Sequence, residues 1–125
     1  MMVLTQAFAA SDPLVRQSII GLAEHNALWF AGPGRNAPPF PEWPIRYRPD
    51  QAGPAIVLID APTLLELGYT GSCHVLAAAM YGWAKAQGEA ATMLVRRLAS
   101  GLWHGNVRRG DGSIWDPERM VPRAA

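Results

Sequence analysis

The stretch from Cys73 to Gln87 constrains this chain most. It reads Cys-His-Val-Leu-Ala-Ala-Ala-Met-Tyr-Gly-Trp-Ala-Lys-Ala-Gln, with Gly88 following as a C-terminal stop. It is helix-forming and apolar almost all round until Lys85, so it must lie at the centre of whatever forms around it. Three consecutive alanines, Ala77 to Ala79, predict close packing against a second element. With 125 residues and half of them hydrophobic, the chain has material for one core around this helix and no more.

The flanks define the rest of the order. Asp12-Pro13 opens an earlier helix, with Ser11 or Asp12 as N-cap and Pro13 at the first helical position. Its apolar positions are Leu14, Ile19, Leu22, Ala23 and Trp29, and Gly32-Pro33-Gly34 ends it. Between Ala31 and Pro54 prolines stand at 33, 38, 39, 41, 44, 49 and 54, a density that excludes a regular helix or central strand. Phe40, Trp43, Ile45 and Tyr47 in the same tract point to an ordered wrap. Ile56 to Ile59 is a strand or extended lead-in, and Pro62 begins a short helical turn that Gly68 ends. After the central helix, Ala91–Leu98 reads as a strand. Leu102–Arg108 and Ser113–Asp116 flank a Gly-Asp-Gly turn and read as a hairpin. The expected fold class is α+β: a central buried helix on a small antiparallel sheet, in a single domain over 1–125. Residues 1–54 supply the first helix and the wrap, and 55–117 the chemistry-bearing core.

Composition narrows the partners. The formal net charge is +1, with no basic run or acidic tail, so neither nucleic acid nor a charged membrane surface is expected. Arg108-Arg109 reads as a solvated turn. No apolar stretch reaches the length of a membrane span, and Met1 to Ala10 lacks the positive start of a signal peptide. Charged residues are only 17%, which leaves room for a covered apolar surface and self-association. The single cysteine can form no internal disulfide, which fits a reducing, cytoplasmic compartment.

Cys73 falls at the start of the central helix. Unpaired amides and the positive end of the helix dipole stabilise an anion there, which favours a nucleophilic thiolate. The same amides can receive the oxyanion of a tetrahedral intermediate. The competing reading is a buried structural cysteine. A thiol nucleophile needs an imidazole to take its proton and a carboxylate to orient that imidazole. His104 and Asp116, on facing hairpin strands, supply both types. A three-residue loop of Arg109, Gly110 and Asp111 would set His104 opposite Asp116. A two-residue loop of Asp111 and Gly112 would set it opposite Arg119. The longer loop, or an equivalent bulge, is the expectation because it serves the chemistry. His74 points about 100° away from Cys73 on an ideal helix and is a poor base for it. His25 reads as a surface or satisfied histidine. The histidines and acids show no metal-ligand spacing, so no metal and no cofactor are expected. Asn36, Trp43 and Tyr69 are candidates for a second oxyanion donor, and Trp103 for a core or cleft wall.

Gly71-Ser72-Cys73 before an alanine-rich helix, the Gln87-Gly88 turn into a strand, His104, the Gly-Asp-Gly turn and Asp116-Pro117 together resemble the transglutaminase-like superfamily of cysteine enzymes. The Tyr47-x-Pro-Asp50 stretch is similar to the lead-in of short phage-encoded members. The resemblance covers about Ala61 to Pro117. It implies a papain-like core and acyl chemistry on an amide of a peptide or protein substrate, as peptidase, amidase, deamidase or acyl transferase. It also implies a Cys73–His104–Asp116 triad without a metal. Ser72 stands where many members have an acid, His74 is unusual, and Gly105-Asn106 replaces a more familiar apolar or aromatic residue. The alternative is a non-catalytic structural or assembly component on the same fold, such as part of a phage particle with a virion partner. A third reading is a small effector that binds another protein through the proline-rich segment.

Overall fold

The computed structural model describes residues 3–7, 12–35, 46–47, 55–68, 70–99 and 103–120. Most of the proline-rich tract, and with it Asn36 and Trp43, lies outside them, as do Ser11 and Tyr69. Strand β1 (Val3–Ala7) precedes helix α1 (Asp12–Phe30), and β2 (Arg46–Tyr47) and β3 (Ala55–Ile59) follow. Then come α2 (Ala61–Glu66), β4 (Thr70–Gly71) and α3 (Cys73–Ala86). Strands β5 (Thr92–Arg97), β6 (Trp103–Arg108) and β7 (Ile114–Trp115) and the short α4 (Pro117–Met120) complete the order. The class is α+β. Among the described residues three small sheets are formed: β1 antiparallel to β3, β2 parallel to β4, and the antiparallel β5-β6-β7.

Helix α3 is buried as its composition requires: every residue from Cys73 to Gly82 is buried, and Ala84 as well. One side meets α1 and the other lies on β6 and β5. Val15, Ile19, Leu22, Ala23 and Phe30 are the inward positions of α1. Leu14, expected on that stripe, is 47% exposed and Val15 takes its place. The helices come close together at Gly82, where a Cβ would lie 2.6 Å from Asn26 Cβ and 2.8 Å from the Asn26 carbonyl carbon.

Asn26 is fully buried and its Oδ1 accepts from the Ala61 N–H at 2.9 Å. Asp60, also buried, caps the same short helix by accepting from the Thr63 N–H at 3.2 Å and the Thr63 hydroxyl at 2.5 Å. His25, 46% exposed, is a surface histidine with its Nε2 3.5 Å from Asp60 Oδ2. Asn26 and Asp60 are buried because they satisfy the first turn of α2.

The hairpin pairs Val107 with Trp115 and Arg108 with Ile114, so residues 109–113 form its loop. The three-residue loop expected from the sequence is thereby corrected, and the two-residue alternative does not form either. Asp111 Oδ1 accepts from the Ser113 N–H at 2.9 Å and hydroxyl at 2.6 Å, and Gly112 takes φ +89. This side-chain turn consumes more residues than a two- or three-residue loop. Arg109 leaves the loop to pair with Glu89 at 3.0 and 2.5 Å and lies 3.8 Å from the centre of the Trp115 ring. The Arg109 hydrogen bond holds the Glu89 carboxyl below the usual carboxylate range.

A pH prediction follows. Because the folded-state value is the lower one, the pair stabilises above the ordinary glutamate pKa and loses its effect as pH falls through the folded value. Arg109→Ala should cost about 1 kcal/mol at neutral pH, ion pair and ring contact together. The ion-pair share should fade in acid and in high salt, while the ring-contact share persists. Denaturant melts across that pH range check this. A deficit unchanged by both acid and salt would exclude the ion pair as a contributor.

Candidate active site

Two elements build the site: the first turn of α3 and the N-terminal half of β6. Ser72 is the N-cap residue, extended at φ −77 and ψ 167, and its carbonyl accepts the first helical bond from Leu76 N–H. Its side chain makes no capping hydrogen bond and turns instead to His74, with Oγ 3.4 Å from Nδ1. The peptide just before, Thr70–Gly71, is held by its pairing with Arg46–Tyr47. Cys73 is therefore fixed at the first helical position. It is 2% exposed, and its Sγ donates to the Trp103 carbonyl at 3.3 Å. A carbonyl accepts only from the protonated sulfur, so this contact belongs to the resting thiol.

Gly105 determines how near β6 comes. A Cβ there would stand 2.8 Å from His74 Cα. The strand rests against main chain at the start of α3, a distance only glycine permits. The glycine at this position thus has a packing reason. With Trp103 bonded to Cys73 and Gly105 seated on His74, the peptide of His104 is held between two contacts to the α3 start.

His104 is 5% exposed, and its Nε2 lies 3.2 Å from Asp116 Oδ2. Strand alternation sends Trp103, Gly105 and Val107 toward α3 and His104 to the other side of β6. Continuing the hairpin register by one step sets Asp116 beside Asn106, not beside His104. The two side chains meet on the diagonal, a spacing long side chains bridge. Asp116 Oδ1 accepts from the Glu118 N–H at 3.0 Å, which fixes the carboxylate with Oδ2 toward the ring. With Nε2–H donating to the carboxylate, Nδ1 is the nitrogen left with the lone pair.

The structure thus brings His104 and Asp116 into contact and places Cys73 against the residue before His104. His74, buried at 4% exposure, faces Ser72 and the β6 main chain. Sequence spacing gave no sign of one further set: His104, Asp116 and Glu118 each offer a ligand atom, all within 4.8 Å of one another. The three come from separate elements in sequence but from one corner of the fold. A divalent ion held there would take the Nε2 lone pair and displace the proton between His104 and Asp116. The indole Nε1 of Trp103 is buried with no hydrogen-bond partner, as is Asn26 Nδ2. Trp103 is core, one of the two roles its sequence position suggested. Among the described residues, no helix is long and apolar enough to cross a membrane. No family model, curated protein or solved structure matches the chain.

Proposed function

We propose that this chain performs cysteine-nucleophile acyl chemistry on an amide, as a peptidase, amidase, deamidase or transglutaminase-type acyl transferase of papain-like core. One observation carries the reading: His104 on β6 meets Asp116 in a part-buried pair, and the carbonyl of Trp103, the residue before His104, accepts from the Cys73 sulfur. Strand alternation sets the His104 ring on the face of β6 away from α3, so this mechanism requires the ring to reach the Cys73 side of the strand; Nδ1 then takes the thiol proton as sulfur attacks the substrate carbonyl carbon. Amides of the α3 first turn receive the oxyanion. The C–N bond then breaks, the departing amine takes the proton from His104, and a thioester remains on Cys73. Water or a second amine resolves it. Asp116 keeps the ring in the tautomer that leaves Nδ1 basic.

A second reading has its own support. The sulfur is nearly inaccessible and bonded to main chain, which suits a structural cysteine in a non-catalytic assembly component, for instance of a phage particle. Alkylation of Cys73 separates the two. The catalytic reading expects labelling at neutral pH that falls about 100-fold in His104→Ala, the size of a lost general base. Asp116→Asn should fall between. Equal, slow labelling in wild type and His104→Ala would give the structural reading the advantage.

A further inference from the structure

A cleft of about 540 Å³ opens between α1 and the β5–β6 surface, within the range that holds ligands. Its walls include Arg16 and Ile20 from α1, Leu94 and Arg96 from β5, and Asn106 from β6. In the ladder Arg96 is paired with His104, and Leu94 with Asn106. Directly paired residues project to the same side of a sheet. Leu94, Arg96 and Asn106 therefore share the face of His104, while Met93 and Val95, which also line the cleft, are paired with Val107 and Gly105 and face α3.

The charge of the cleft is one-sided. Two guanidinium groups line it and no carboxylate does. Arg16 is held in place, donating to the Val95 carbonyl and lying 5.7 Å from the centre of the Trp103 ring. Arg96 is exposed, and among the described residues no carboxylate pairs with it. Two arginines facing one cavity repel each other until an anion enters, and guanidinium matches a carboxylate in two parallel hydrogen bonds. Ile20 and Leu94 offer apolar surface for the methylenes that carry such a group.

We propose that this cleft binds the acidic side chain of an extended peptide beside the amide presented to Cys73. The placement next to a scissile amide rests on the acyl-chemistry reading; the binding itself does not. The test uses the full chain as its Cys73→Ala variant, so that no turnover intervenes. Two N-acetylated peptide amides, identical except for Glu or Gln at one position, are titrated by fluorescence anisotropy. The Glu peptide should bind about tenfold tighter or better, a difference of about 1.4 kcal/mol. That preference should vanish in Arg96→Gln, survive in Arg96→Lys, and shrink in high salt. Arg96 is the diagnostic position because Arg16 also supports β5. Equal affinities for the two peptides would overturn the proposal, as would a preference untouched by Arg96→Gln. Displacement of the Glu peptide by equimolar inorganic phosphate would also overturn it, reducing the cleft to a general anion site. The two proposals fail separately. Acid-selective binding in a protein whose Cys73 labelling ignores His104 leaves the cleft and removes the chemistry. His104-dependent labelling without acid selectivity does the reverse.

Discussion

Gly82→Ala should destabilise the protein by about 3 kcal/mol, even though alanine is the better helix former by about 1 kcal/mol. The added methyl would meet Asn26 Cβ at 2.6 Å, the Asn26 carbonyl carbon at 2.8 Å and Ala27 N at 2.9 Å. Two of these are main-chain atoms of a helix interior, so no rotamer change relieves the overlap. The helices must part, and a gap then opens between Ile19, Leu22 and Ala23 on one side and the Ala77–Ala79 surface on the other. It also pulls Asn26 Oδ1 from the Ala61 amide, leaving a buried donor unmet. Thermal melting should show a midpoint lower by on the order of 10 °C. An unchanged or higher midpoint would mean that α1 and α3 do not touch here.

Gly105→Ala acts on the site itself. Its methyl would sit 2.8 Å from His74 Cα, 3.3 Å from His74 Cβ and 3.3 Å from Met93 Cε. Met93 can swing aside, but the α-carbon of the first α3 turn cannot. Strand β6 has to lift from the helix start, at a cost of about 2 kcal/mol. The Trp103 carbonyl moves away from Cys73 with it. The two functional readings then predict opposite signs for one measurement, the alkylation rate of Cys73 in the still-folded protein. If His104 activates the sulfur, the rate drops, by about tenfold or more, because the base has been carried off. If the sulfur is a packed structural group, loosening the packing exposes it and the rate climbs. An increase would therefore count against the proposed mechanism.

Much of this fold is legible because single features leave few choices. A run as apolar as Cys73–Ala86 has nowhere to go but the centre, and the Asp-Pro and Gly-Pro-Gly signals bracket α1 within a residue or two. The α2 turn is equally readable from Pro62 and from Gly68, which adopts φ +70. What escapes a reading of the sequence depends on partners distant in the chain. Val3–Ala7 is too weakly patterned to be read as a strand, because its pairing is settled by β3, about 50 residues on. The hairpin register escapes because Asp111 spends its side chain on Ser113, and composition does not say how many residues that turn uses. Val15 and Leu14 are interchangeable in periodicity, and only the angle at which α1 crosses α3 decides which turns inward.

The site divides in the same way. His104 and Asp116 could be named from the chemistry a thiol requires, but their diagonal meeting could not be foreseen. The role of Gly105 was invisible, since a glycine that permits contact looks in sequence like a residue lost. Glu118, Arg16 and Arg96 carry no signal in the sequence, because exposed charges on a helix or strand look like ordinary solvated surface. Only the sheet, by setting Arg96 across from His104, gives one of them a context.

The pairing of β3 with β1, and the cover that α1 gives α3, have one more implication. Residues 55–117 hold the sulfur, the imidazole and the acid, yet they lack the strand that completes β3 and the helix that roofs the buried face of α3. A fragment trimmed to the chemistry alone would expose alanines and leucines to water along the full length of its principal helix. The reactive residues and the scaffold that orients them are thus inseparable parts of one unit, and no smaller piece of it inherits the site.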